Sequence, residues 1–394
     1  REFFAALQDA GNEPADLARR DVVLNYAEGL ANRFQGVSER TGLLARDTTS
    51  GLEAASAKMN ELSSLIVDVN ERIAELSIER GSASFNALLD QREALLKDLA
   101  GMVSVSTVEQ DDGQINVFVG KGQPLVLGQN AAVLRVTGDG EITFQPSGGG
   151  SEEVVTANLT GGEIGGLLRF REEVLWPAQN ELGRLAAALS ASFNEQHTSG
   201  VDLNGNFGGD LFRDINDPAL VGNRVDFVGD GASVSGLVNV YISDPYTTEP
   251  DDYVIHFSEE NPGAYTVHRR SDGDIVYSGS TLTVPSEIEF EGLRVEFASG
   301  SFNPGESILV RPYAGLAEQF TVALKDPAGL ALASPVLVDA WSANTGSGQV
   351  DVDITDAKHP LFVGDKALVP PLLVEFVSDT QYIILDNSDP GNPV

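Results

Sequence analysis

The chain has 394 residues, 25 basic against 59 acidic side chains, and no cysteine. That length suits two or three domains with real cores. A formal charge of −34 excludes nucleic acid and an anionic membrane as partners, and the lack of cysteine excludes disulfides, cysteine-based zinc sites and thiol catalysis. No apolar run approaches the ~18 residues of a membrane span. The start, Arg1-Glu2-Phe3-Phe4, is neither a signal peptide nor a Met, so a fragment or processed form is expected.

Residues 1–100 read as helix, with Pro14 and Asp16 suiting a helix start. Val23, Ala27, Leu30, Phe34, Val37, Thr41 and Leu44 alternate spacings of four and three. Leu52, Ala55, Met59, Leu62, Ile66, Val69, Ile73 and Leu76 then keep that alternation unbroken, a coiled-coil-like seam expected to face other helices. Full burial of its large side chains is worth on the order of 10 kcal/mol before entropy. Gly81-Ser82 ends the segment, and a shorter helix is predicted from Phe85 to Leu99.

After Gly101 the period falls to two. Asp112-Gly113 is a hairpin signal before Ile115, Val117 and Val119, and Gly138-Asp139-Gly140 is a second. Residues 103–156 are therefore predicted as a small antiparallel β unit. Helix returns near Glu163 and runs to about His197, with Leu168, Leu175, Leu182 and Leu189 at a spacing of seven and Leu185 and Phe193 beside them. Pro177 inside that pattern predicts a kink or break. Short strands are expected over 224–311, helical or irregular chain over 316–333, and further β structure over 336–394. The fold class that follows is α+β multidomain, an elongated antiparallel helix bundle with inserted antiparallel β domains. Charge follows this layout: residues 1–100 net −6 with mixed signs, whereas 101–334 net −21.

The residue patterns of most enzymes are missing. His197, His256, His268 and His359 form no H-E-x-x-H, and no two are close in sequence. Gly120-Lys121-Gly122 lacks the spacing and the Ser/Thr of a phosphate loop, and there is no G-x-S-x-G. Asp202, Asn204 and Asn206 open like a calcium loop, but Phe207 and Arg213 stand where Gly and Glu are needed, so a hydrogen-bonded turn is expected. With 59 acids, chance carboxylate pairs carry no information about glycoside hydrolysis. His197 reads as a helix C-terminal cap, and Trp176 and Trp341 as packing residues. No cofactor and no metal ligand is assigned, and the chain is read as not an enzyme.

The motifs are more specific. In order they are Phe3-Phe4, Arg20-Asp21-Val22-Val23-Leu24, Asp68 through Leu76, Leu88-Leu89-Asp90-Gln91-Arg92-Glu93, and Gly122-Gln123-Pro124-Leu125-Val126. Gly161 through Leu168, Phe193-Asn194-Glu195-Gln196-His197, Gly200-Val201-Asp202-Leu203-Asn204-Gly205, Leu211-Phe212, Val310-Arg311-Pro312 and Asp326 through Pro335 complete them. Together they resemble the hook-associated protein 1 family, the hook–filament junction proteins of bacterial flagella, over roughly 1–335. The chain departs from that family in lacking both heptad-rich terminal segments, and 336–394 resemble the start of an outer β domain found in some members.

The resemblance implies a helical rod domain whose first part is 1–100, a small β unit over 101–162, a helix over 163–200 returning to the rod, a β domain over 201–314, a return segment over 315–335 and an incomplete outer β domain over 336–394. It implies a structural axial component, secreted by the flagellar type III route to the extracellular hook–filament junction. The implied partners are the hook protein, the next hook-associated protein, further copies in a ring, and an export chaperone bound by a missing C-terminal segment. Of the motif residues, Asp90 and Arg92 are read as pairing with other charges, within the domain near a helix end or else across an interface, with Gln91 between them. Asn194, Gln196, His197, Gly200, Asp202 and Gly205 are read as fixing the passage from helix into the β domain. The residues leave three other readings open: an acidic extracellular calcium-binding adhesin, another axial protein of the hook or phage-tail type, and a secreted polysaccharide-degrading enzyme.

Overall fold

The structure, a computed structural model, describes residues 1–394 apart from 77–80, 139, 229–234, 337, 341–343, 348–349, 351, 353–361, 364–366, 369 and 379. Asp139, Trp341 and His359 thus lie outside the described residues. The first hundred residues form α1 (Glu2–Asn12), α2 (Leu17–Glu75) and α3 (Ala83–Met102). Asp16 starts α2 by accepting from the amides of Ala18 and Arg19 at 2.8 and 3.4 Å. Pro14 lies in the preceding turn. Ser82 caps α3 by accepting from Phe85 N at 3.1 Å.

The chain divides into two compact units, residues 39–178 and residues 1–38 with 179–394. The divisions fall inside α2 and inside α5 (Trp176–Thr198), not where the sequence changes from helical to strand periodicity.

In the 39–178 unit, β1 (Val105–Glu109), β2 (Ile115–Val119), β3 (Gln123–Leu127) and β4 (Asn130–Ala131) form one antiparallel sheet in sequence order. A second sheet holds β5 (Val133–Val136), β6 (Ile142–Gln145) and β7 (Glu153–Val154). Leu52, Met59, Leu62 and Ile66 of α2 share one core with Val117 and Val119 of β2, Leu125 of β3, Leu134 of β5 and Phe144 of β6. Leu99 and, from α4 (Gly162–Phe170), Ile164 and Leu168 complete it. The expectation that the seam faces helices is therefore corrected: strands cover much of it. A 3-4 stripe specifies a helix face that must be dry, and an alternating strand dries it as well as a second helix does. Farther along α2, Val69, Ile73 and the half-buried Leu76 pack with Phe85 and Leu88 of α3.

The glycine that opens α4 allows a close approach. Gly162 has φ +56°, and a Cβ there would lie 2.4 Å from the Met102 carbonyl carbon. Pro177 acts as a wide turn rather than a break: a π-helical turn, Arg171–Leu175, joins α4 to α5 just ahead of it. Without an N–H, Pro177 cannot bond the carbonyl four residues back, and the wider turn accommodates its ring. Leu175 is buried, and Trp176 lies under the Arg171 guanidinium at 4.6 Å.

The other unit has two cores. In the first, Phe3 and Ala10 of α1 pack on Val23 and Ala27 of α2, with Ala186 of α5, Phe212, Phe320 and Leu330. Leu182, Leu189 and Phe193 sit at its margin, so the leucines from 168 to 189 do not line a single core. The second is a β-sandwich. One sheet is ordered β12 (Ile275–Gly279), β11 (Tyr265–Arg269), β10 (Tyr253–Phe257), β15 (Ser307–Val310), β8 (Val225–Val228). The other is ordered β13 (Ser286–Phe290), β14 (Leu293–Ser301), β9 (Ser235–Ile242). Val240, Ile255, Val267, Val295 and Ile308 are fully buried between them. The chain over 315–333 is irregular apart from a short 3-10 turn at Pro327–Gly329. Among the described residues after 336, two hairpins appear: β16 (Phe362–Val363) with β17 (Ala367–Leu368), and β18 (Leu372–Ser378) with β19 (Gln381–Asp386).

Candidate functional site

The motif residues act mostly through the backbone of other segments. On α2, Asn70 of the motifs and Asn60, which lies outside them, each dock an amide against a strand. Asn60 accepts from Leu134 N at 2.9 Å and donates to Leu134 O at 2.8 Å. Asn70, fully buried, accepts from Ile115 N at 3.2 Å and donates to Ile115 O at 2.8 Å and Gly128 O at 3.0 Å. An asparagine amide presents a donor and an acceptor side by side, as a peptide group does. Arg92 of α3 donates from Nη1 to Gly113 O at 2.7 Å, holding the β1–β2 turn. The expected ion pairing of Asp90 and Arg92 is thus replaced by a bond to a carbonyl; among the described residues no salt bridge involves either, and Asp90 and Gln91 are exposed. Burial lowers the Arg92 pKa, with Glu109 opposing.

At the end of α5 a second set converges. Asn194 accepts from Leu211 N and Phe212 N, both at 2.9 Å, and donates to Phe212 O at 2.8 Å. Ser190 donates to Arg213 O at 2.6 Å. His197 is buried and bridges two segments: Nδ1 donates to Gly209 O at 2.6 Å, and Nε2 accepts from Ala331 N at 2.8 Å. It is therefore a cross-link between loops and not a cap on its own helix. Gly208 makes this possible, since a Cβ there would fall 2.1 Å from His197 O. Gly200 accepts from Gly208 N at 3.0 Å, and Val201 N donates to Ala333 O at 2.8 Å. Gln196 is exposed. Asp202 closes an Asx turn, Oδ1 accepting from Asn204 N and Asn206 N at 2.8 and 2.7 Å, with Gly205 at φ +74°. Burial pushes the Asp202 carboxyl up, and these hydrogen bonds outweigh it, so its pKa is low.

Arg20, which opens one of the motifs, and Arg224 are both buried, and the sequence marked neither for burial. Arg20, on α2, donates to Pro14 O at 2.6 Å, Pro327 O at 3.3 Å and Leu330 O. Arg224 donates to Val240 O at 2.8 Å and to Ile215 O. Nothing in local pattern marks an arginine for burial; Arg20 joins the nearby Pro14 carbonyl to two more than 300 residues away.

His197 gives a pH dependence. Burial lowers its pKa against the raising effect of Gly209, Asp210 and Asp202. The unfolded chain then binds the extra proton first, so the stabilisation is full above pH ~6.5 and is lost as pH falls through the lower folded value. Urea unfolding midpoints at about pH 7.5 and pH 5 check this: the chain should lose more stability on acidification than its His197→Gln variant does. Equal losses would contradict it.

A hollow lined by Ala187, Ser190, Ile215 and Leu220 has room for about one water and none for an organic substrate. Among the described residues no trio of His, Asp or Glu is grouped to hold a metal ion, and no helix is long and apolar enough to cross a membrane. Exposed apolar side chains include a set on α2. Val22, Tyr26 and Val37 of α2 lie on one face by helical spacing, and all are at least 40% exposed. Phe4 of α1 is also exposed. Side chains of this kind on the outside of a helix mark interaction surface when they cluster.

Comparison with known proteins identifies what the chain resembles. The family model for the flagellar hook-associated protein FlgK helical domain matches residues 1–212. Flagellar hook-associated protein 1 of Salmonella typhimurium is 27% identical over 367 residues, covering 91% of this chain and 64% of that protein. The protein of the same name from Escherichia coli K12 is 28% identical over 364 residues, 90% of this chain and 63% of that protein. The solved structure of the flagellar hook junction protein FlgK from Burkholderia pseudomallei superposes with a TM-score of 0.75 at 29% identity, over 88% of this chain and 61% of that one. The chain thus spans a little under two thirds of the length of these relatives. With more than half its residues under that family model, and with helices and antiparallel sheets in a matching arrangement, the chain belongs to the FlgK family of flagellar hook-associated proteins.

Proposed function

We propose that the chain is a structural part of the bacterial flagellum at the hook–filament junction, outside the cell, and that it works by passive packing of helical faces rather than by catalysis. The observation that carries this reading is the exposed apolar face of α2, Val22, Tyr26 and Val37, in a chain of the hook-junction family. On this reading the face meets the hook protein or the next hook-associated protein, copies arranged in a ring sum modest contacts by multivalency, and the acidic sandwich faces solvent. Export by the flagellar type III route and a chaperone site in a segment beyond this chain belong to the same reading. So does the segmentation into a rod (1–100 and 163–200), a small β unit (101–162), a β domain (201–314), a return segment (315–335) and an outer β segment (336–394).

Complementation tests it. The full-length protein carrying Val22→Glu, Tyr26→Glu and Val37→Glu is returned to cells lacking it. We expect normal secretion and an unchanged circular dichroism spectrum, with filaments shed and swimming lost. Swimming at the wild-type rate would refute the assignment of this face.

A further inference from the structure

Two of the four histidines, far apart in sequence, meet on the sandwich. In the β10–β11 ladder His256 stands opposite Thr266, and His268 opposite Val254. Tyr253, Ile255, Phe257, Tyr265 and Val267 are buried, so the alternate positions 254, 256, 266 and 268 face outward. The two imidazole rings lie 5.2 Å apart between centroids at 76°.

We propose that His256 and His268 form a binding site for a divalent transition-metal ion of the zinc or nickel class. Metal–nitrogen bonds of about 2.0–2.1 Å at a tetrahedral angle put two imidazole centres about 5 Å apart, which is the spacing here. The ring nitrogens are also arranged as ligands require. His268 Nδ1 lies 3.2 Å from Gly273 O, and a carbonyl accepts only, so Nδ1 carries the proton and Nε2 keeps its lone pair. His256 Nδ1 lies 2.7 Å from Ser307 Oγ, a hydroxyl that can accept from it; in that tautomer Nε2 is the ligand atom. Each ligand thus has an oxygen partner on its second nitrogen, the arrangement that orients metal-bound histidines. Thr266 Oγ1 now donates to His268 Nε2 at 2.9 Å; a hydroxyl rotor can turn away, and water fills the remaining coordination positions. β10 and β11 are interior strands of the five-stranded sheet, so the spacing is held by pairing on both sides. The net charge of −34 raises the local concentration of any cation, and imidazole selects the softer ones from among them.

This inference does not depend on the flagellar reading, and calorimetry of the whole chain tests it. Titration with zinc chloride and with nickel chloride should show one ion per chain, and calcium chloride should show no such stoichiometric step. His256→Gln and His268→Gln should each abolish the step, and Ser307→Ala should weaken it by roughly tenfold or more. Both histidines face outward, so the metal-free melting temperatures of the variants should match the parent; zinc should raise the parent's alone. Stoichiometric zinc binding that survives both substitutions, or no zinc binding by a parent chain whose melting curve is intact, overturns the proposal.

Discussion

Replacing Asn194 by alanine should cost about 2–4 kcal/mol of stability. The side chain satisfies three backbone groups in the buried Leu211–Phe212 segment, and each group left without a partner costs about 1–3 kcal/mol, partly relieved where water reaches a half-buried site. Asn194→Asp separates this account from simple loss of volume. It keeps the acceptor for the two N–H groups but sets an oxygen against the Phe212 carbonyl, which no longer has a donor. We expect it to be destabilised as well at neutral pH. Urea unfolding with two spectroscopic probes measures both, and a loss below about 1 kcal/mol for the alanine variant would remove Asn194 from the structural framework.

The second large effect is in the α2 seam. Ile66 is fully buried against the two small sheets, and Ile66→Ala should cost about 2–5 kcal/mol through lost transfer energy and the cavity left behind. Leu44, placed by the same heptad arithmetic on an earlier part of α2, is 46% exposed, and Leu44→Ala should stay within about 0.5–1 kcal/mol. The pair is a direct comparison of one sequence pattern with two environments. Similar costs for both would mean that Leu44 is covered in solution, and thermal unfolding of the two variants side by side decides it.

These two cases show how far the residues could be read unaided. The spacing from Leu52 to Leu76 required a long helix with a dry face, and α2 has one. The spacing carried no information about the cover, because the helix period reports the helix and not its neighbour. Asp112-Gly113 marked the β1–β2 turn, because φ > 0 at Gly113 is a local demand that glycine meets at no cost. By contrast, Asn70, Asn194 and His197 were visible as members of motifs, yet their work could not be read from them. Each bonds a backbone group that is far away along the chain, up to 134 residues for His197 and Ala331. Arg92 was assigned a charge partner nearby and took the Gly113 carbonyl instead, since a β turn brought to α3 offered a fixed acceptor.

The long helix, the dry stripe from Leu52 to Ile73 and the Asp112-Gly113 turn were legible in residue pattern, because each depends on neighbours a few positions away. Tertiary structure decided what covers each face, which arginines are buried, and that His256 and His268 stand side by side. Those outcomes depend on strand register and on contacts between distant segments, and a residue's local spacing does not constrain them.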